Sequence, residues 1–163
     1  ERAIELFPYA AGETSPYFLL ATIYGNMGKT EEQIDVLRRQ RLMAPGAFDS
    51  GLKLASLLLE QGENEEAIEV LEGLMFVNPL KAEVHQKLGD AYLEKGKPDK
   101  AIREFEVLLA LNPPDKAGSH YRIASALALE GQSEQARHHV LLALEIAPTY
   151  EEAQQLLLKL VRQ

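Results

Sequence analysis

Apolar residues along this chain recur at spacings of three and four, the period of a helix with one buried face. Val84, Leu88, Ala91 and Tyr92 form one such stripe, and Ala101, Ile102, Phe105, Leu108 and Leu109 form the next. Between them lies Glu94-Lys95-Gly96-Lys97-Pro98. Its glycine suits the left-handed position that ends a helix, and its proline suits the first turn of the helix that follows. The same two-helix pattern predicts pairs over residues 16–27 with 31–43, 49–61 with 65–77, 82–95 with 99–111, and 116–130 with 134–146. Thr30 with Gln33 and Thr149 with Glu152 read as capping boxes, and Asn64 and Ser133 as plain N-caps. No alternation of period two competes, so no strand is expected.

The pairs themselves recur. Prolines fall at Pro8, Pro45, Pro79, Pro113 and Pro148, spaced 37, 34, 34 and 35. Glycines fall at Gly28, Gly62, Gly96 and Gly131, spaced 34, 34 and 35. Small residues keep the same register at Ala21, Ala55, Gly89 and Ala124, and again at Ala67, Ala101 and Ala136, where the first unit carries Gln33. A fixed period of this length is the mark of a repeat array, in which each unit buries its apolar face only against its neighbours.

The unit resembles the tetratricopeptide repeat. The third reads His85, Leu88-Gly89, Tyr92, Gly96, Ala101, Phe105, Pro113, and the first reads Tyr17, Leu20-Ala21, Tyr24, Gly28, Gln33, Leu37, Pro45. The second has Leu54-Ala55, Leu58, Gly62, Ala67, Leu71 and Pro79, with Gly51 at the first bulky position. The fourth has His120, Ile123-Ala124, Leu127, Gly131, Ala136, Val140 and Pro148. The resemblance implies an all-α, right-handed superhelical solenoid of antiparallel helix pairs. Its units are residues 14–47, 48–81, 82–116 and 117–150, with an amphipathic capping helix at 151–163. Residues 1–13 are expected to hold the tail of a truncated preceding repeat and a linker, because Ala3 to Pro8 match Leu142 to Pro148. On that match the chain is expected to begin inside a unit, as a fragment of a longer protein that includes its native C-terminus. The stretch Tyr9–Ser15 makes the first junction three residues longer.

Composition narrows the function. At roughly 100–200 residues per domain, 163 residues imply one domain and one core. An apolar share of 46% and a charged share of 26% exclude disordered and collagen-like chains. No apolar run is long enough to span a membrane. The absence of cysteine excludes thiol catalysis, disulfides and Cys-built metal sites, and it fits a cytosolic or a periplasmic protein equally. A net charge of −8 argues against nucleic acid as the partner.

Motifs for chemistry fail one by one. Gly28-Lys29-Thr30 looks like the end of a phosphate-binding loop, but that motif needs glycine where Ile23 stands and a strand where a helix is predicted. His138 and His139 are adjacent and point about 100° apart around a helix, unlike an i, i+4 zinc pair. His85 and His120 fill the bulky first position of their units. The histidines are read as packing or surface residues, and no metal is expected. Glu31-Glu32, Glu65-Glu66, Asp99 and Glu134 all open a second helix, where negative charge suits the helix dipole. Arg38-Arg39-Gln40-Arg41 is the one basic run, read as a solvated outer helix face or, failing that, a site for an acidic partner. No Gly-x-Ser-x-Gly, Gly-x-Gly-x-x-Gly or His-Glu-x-x-His occurs, so neither enzymatic activity nor a cofactor is expected.

What remains is a surface. In proteins similar to this one, first helices line a concave groove that receives an extended peptide or a helix. Carried over unit by unit, the groove positions are Phe18, Thr22 and Asn26; Asp49, Leu52, Lys53, Ser56 and Glu60; Glu83, Gln86, Lys87, Asp90 and Glu94; and Tyr121, Arg122 and Ser125. The family's carboxylate clamp uses a Lys and Asn set. Phe18 stands at the Lys position and Thr22 and Ser56 at the Asn positions, so the clamp is absent. Lys53, Lys87 and Arg122 repeat at spacings of 34 and 35. They form either a basic rail for acidic ligand side chains or intrahelical pairs, Glu83 with Lys87 and Lys87 with Asp90. The resemblance implies a non-catalytic protein-interaction scaffold with a protein or peptide partner. The alternatives are a recruitment or assembly domain of a larger enzyme or secretion-related protein, and self-association through the N-terminal edge.

Overall fold

A computed structural model describes residues 2–7, 9 and 12–162. Pro8 of the repeat register, Ala10 and Ala11 of the longer junction, and both terminal residues lie outside the described residues. Among the described residues every regular element is a helix. The chain divides into two compact units, residues 1–79 and 80–163. Length alone led to the expectation of one core. A repeat array departs from that expectation because its contacts run between sequence neighbours, so it has no common centre.

The first unit holds α1 (Arg2–Leu6), α2 (Pro16–Asn26), α3 (Thr30–Met43), α4 (Phe48–Glu60) and α5 (Asn64–Val77). The second holds α6 (Ala82–Glu94), α7 (Pro98–Ala110), α8 (Lys116–Leu129), α9 (Ser133–Ile146) and α10 (Glu151–Val161). The predicted pairs therefore form, to within one residue or so at each end. Each pair turns on a glycine with positive φ, between 65° and 79° at Gly28, Gly62, Gly96 and Gly131. The backbone N–H after each glycine donates to the carbonyl five residues back, as Lys29 does to Tyr24 at 2.9 Å.

The cap position falls one residue away from each expected cap. Second helices begin at Thr30, Asn64 and Ser133, which leaves Lys29, Glu63 and Gln132 at the cap position without a side-chain cap hydrogen bond. Tyr150, not Thr149, precedes α10, also without one. At these three second helices the residue between the glycine turn and the helix is Lys29, Glu63 or Gln132, none of them a short side chain of the capping kind. Side-chain caps appear instead where the joints are longer. Ser15 Oγ accepts from Phe18 N at 3.1 Å, and Asp115 Oδ1 accepts from Gly118 N at 2.7 Å. The longer third unit spends its extra residue at this second joint, where Asn112 takes φ 55°.

Both small-residue columns are buried: Ala21, Ala55, Gly89 and Ala124 in the first helices, Ala67, Ala101 and Ala136 in the second. The fit is tight enough that a Cβ at Gly89 would sit 2.2 Å from Phe105 Cε1. Gln33, the departure from the alanine column, is buried against Gly25, where a Cβ would come within 2.7 Å of its Nε2. At Gly51 the missing bulky side chain is replaced from α5, since Leu74 Cδ2 lies 2.8 Å from where a Cβ would stand.

Candidate functional site

In the first unit the candidate residues lie on α2 and α4. Phe18, Leu52 and Ser56 are half-buried, and Thr22, Asn26, Asp49, Lys53 and Glu60 are exposed. Two hydroxyls are committed to their own helices: Thr22 Oγ1 donates to the Phe18 carbonyl and Ser56 Oγ to the Leu52 carbonyl, both at 2.9 Å. Lys53 makes no ion pair among the described residues. A separate cleft of about 520 Å³ opens at the N-terminal edge, walled by Ile4, Tyr17, Leu20, Tyr24 and Val36 with Glu5, Glu32, Asp35 and Arg39 at its polar side.

The basic run is not a free outer face. Arg38 grips Glu66 in a fork, Nε to Oε1 at 2.8 Å and Nη2 to Oε2 at 2.5 Å, and also reaches Glu63 at 3.0 Å. The Arg38 hydrogen bond lowers the Glu66 pKa from its ordinary value. Arg41 Nη2 donates to the Glu69 carbonyl at 3.1 Å, and Gln40 is buried, donating to Ser15 Oγ at 2.8 Å. Of the run only Arg39 is exposed, at the polar side of the N-terminal cleft. The sequence expectation fails here because residues three apart on α3 face α5, which sequence spacing within one helix cannot show.

In the second unit the candidates converge. A cleft of about 330 Å³ is lined by Asp90 and Leu93 of α6, Tyr121, Arg122 and Ser125 of α8, and Tyr150 at the start of α10. The rings of Tyr121 and Tyr150 lie 5.1 Å apart at 53°. Arg122 reaches Asp90 at 3.4 Å and Asp115 at 3.8 Å. Burial raises the pKa of Asp90 from its ordinary value, with Arg122 opposing. Burial likewise raises that of Tyr150. Lys87 pairs with Glu83 at 3.9 Å, as the intrahelical alternative required, whereas Asp90 takes Arg122 as its partner. Gln86 is half-buried, and Glu83 and Glu94 are exposed. Sequence reasoning missed Leu93, Asp115 and Tyr150. Tyr150 was legible only by treating residues 151–163 as a fifth first helix, before which it holds the position that Asp115 holds before α8.

The histidines pack. His85 is buried with Nδ1 2.7 Å from Glu104 Oε2. His120 and His139 share a hydrogen bond between Nδ1 atoms at 3.1 Å, and burial lowers the pKa of each. Among the described residues no group of three or more His, Asp or Glu is arranged to hold a metal. No helix there is long and apolar enough to cross a membrane.

Tetratricopeptide-repeat family models match residues 52–116 and 87–151, and another matches 14–40. No curated protein matches the chain in sequence. Among solved structures, MamA is similar at 21% identity and TM-score 0.80, over 86% of this chain and 76% of that one. MamA 41-end from Desulfovibrio magneticus RS-1 is similar at 19% and 0.83, over 94% and 87%. The first repeat domain of Spaghetti (RPAP3), bound to the HSP90 peptide SRMEEVD, is similar at 22% and 0.64, over 69% and 88%. These likenesses show the fold.

Proposed function

The chain belongs to the tetratricopeptide-repeat family, and on that premise we propose that it is a non-catalytic scaffold whose first-helix faces bind a peptide or helix of a partner protein. The observation that carries this reading is the cleft formed by Tyr121, Tyr150, Leu93 and Ser125 with the Arg122–Asp90 pair. It joins an apolar floor to fixed charges, the composition of sites that bind modestly and specifically. It offers no nucleophile with an adjacent base, which supports the absence of catalysis. The acidic balance of the chain speaks against nucleic acid. Spaghetti (RPAP3) holds the peptide SRMEEVD. Here Phe18, Thr22 and Ser56 occupy the clamp positions, and both hydroxyls among them are tied to their own helix carbonyls, so a ligand of that kind is not transferred.

The test is peptide selection on the 163-residue chain. Binders are expected near micromolar affinity, about −8 kcal/mol, and Phe18→Ala, Leu52→Ala or Tyr121→Ala should weaken them while Arg39→Glu does not. Binders indifferent to all three would move the working surface elsewhere. A second reading is favoured by Leu6 and Phe7, which are 67% and 62% exposed beside the N-terminal cleft. Exposed apolar residues of this kind mark interfaces, and association with a second copy there would appear as a concentration-dependent mass in sedimentation that Phe7→Ser abolishes.

A further inference from the structure

The repeating cations of the first helices invite an acidic ligand, but in the second unit they are already engaged. Arg122 lies between Asp90 at 3.4 Å and Asp115 at 3.8 Å, and Lys87 is held by Glu83 at 3.9 Å. Among the charges that act on Asp90 and Tyr150 at the cleft, Glu94, Asp115 and Glu152 join Asp90 itself against Lys87 and Arg122, four acids against two bases. An incoming carboxylate would have to displace these pairs and would meet an excess of like charge. An incoming cation meets carboxylates with acceptor capacity to spare, since each offers about four lone-pair sites, and beyond Arg122 only the Gly118 N–H, on Asp115 Oδ1, draws on them in the hydrogen bonds described. Asp90 is the carboxylate with most to gain, because its partial burial is only partly offset by Arg122. Tyr121 and Tyr150, with rings 5.1 Å apart and tilted at 53°, border the same space and offer π-faces to a guanidinium or ammonium group. The cleft, about 330 Å³, lies at the small end of ligand sites and suits side chains of a peptide.

We propose that the cleft between α6, α8 and the start of α10 takes an arginine or lysine side chain of an extended partner segment, its charged head against Asp90 and Asp115 and its stem across Tyr121 and Tyr150. The partner is then a basic peptide interspersed with apolar residues. This rests on the reading that first-helix faces carry the ligand, and it adds the sign of the ligand's charge.

The experiment uses the 163-residue chain and two fluorescein-labelled octapeptides, one alternating Arg with Phe and one alternating Glu with Phe, titrated by anisotropy at low and at physiological salt. The basic peptide should bind at least about tenfold more tightly, the equivalent of 1.4 kcal/mol, and more weakly as salt rises. Asp90→Asn and Tyr150→Ala should each weaken it several-fold. Arg122→Gln should strengthen it, because the internal competitor for both carboxylates is gone. A gain in affinity at an unchanged melting temperature separates this effect from misfolding. Preference for the acidic peptide, abolished by Arg122→Gln, would overturn the proposal and leave the groove reading standing. So would failure of the basic peptide to bind while selected peptides remain sensitive to Tyr121→Ala. Basic-peptide binding indifferent to Asp90, Arg122 and Tyr150 would overturn the proposal as well, and indifference to Phe18→Ala and Leu52→Ala in addition would take the groove reading with it.

Discussion

Ala101 has no side chain beyond a methyl group, is completely buried between α6 and α7, and stands in a column where its equivalents are Ala67 and Ala136. Nearby, Gly89 meets the Phe105 ring so closely that even a methyl group would collide. Small residues here set how closely two helices approach, and the large residue opposite fills the remaining space. Ala101→Leu should therefore overpack the pair and cost roughly 1–3 kcal/mol, read as a lower urea midpoint at unchanged slope. A variant as stable as the parent would refute the assigned register. Gln33 shows the same rule from the other side, since the larger residue is admitted only because Gly25 yields the volume.

Between elements, the solvent-screened ion pairs contribute little, and a half-buried histidine pair sets the pH dependence. The Arg38–Glu66 fork joins α3 to α5, but the side chains are 37% and 33% exposed, so solvent screening limits it to at most about 1 kcal/mol. The joint of α8 with α9 carries a stronger pH signature. His120 and His139 share one hydrogen bond, which needs at least one neutral ring, with His138 packed edge-on against His139. Burial lowers the pKa of both below the ordinary 6.5. The unfolded chain thus takes up protons first as pH falls through about 6.5. Stability is fully present above that value and is lost as pH drops toward the depressed folded values. Melting temperature should fall between neutral pH and about pH 5, and His139→Gln should flatten that slope. A slope unchanged in the variant would sink the assignment.

At the scale of the molecule, the chain behaves as two compact units rather than one core. In repeat arrays the stability of each segment depends on its own packing and on its neighbours. Destabilising substitutions should accordingly act locally. In Ala101→Leu, amide exchange should accelerate through residues 80–163 more than through 1–79. A uniform acceleration across both units would show a single cooperative block.

Period and small-residue spacing determined much of this protein directly. Proline, glycine and alanine at intervals of 34 and 35 locate the helix pairs and the left-handed turns, because a positive φ favours glycine and a close crossing favours small residues, with Gln33 opposite Gly25 the one departure in the alanine column. The cleft was partly legible, since Asp90, Tyr121, Arg122 and Ser125 are all at first-helix positions. Tertiary structure alone decided the rest. Arg38 and Arg41 face α5, Arg122 takes its carboxylates from α6 and from the residue before α8, and Tyr150 swings against Tyr121. Periodicity fixes which face of a helix a residue occupies. It does not fix which side chain on another helix lies opposite, and the charge a ligand meets depends on that pairing.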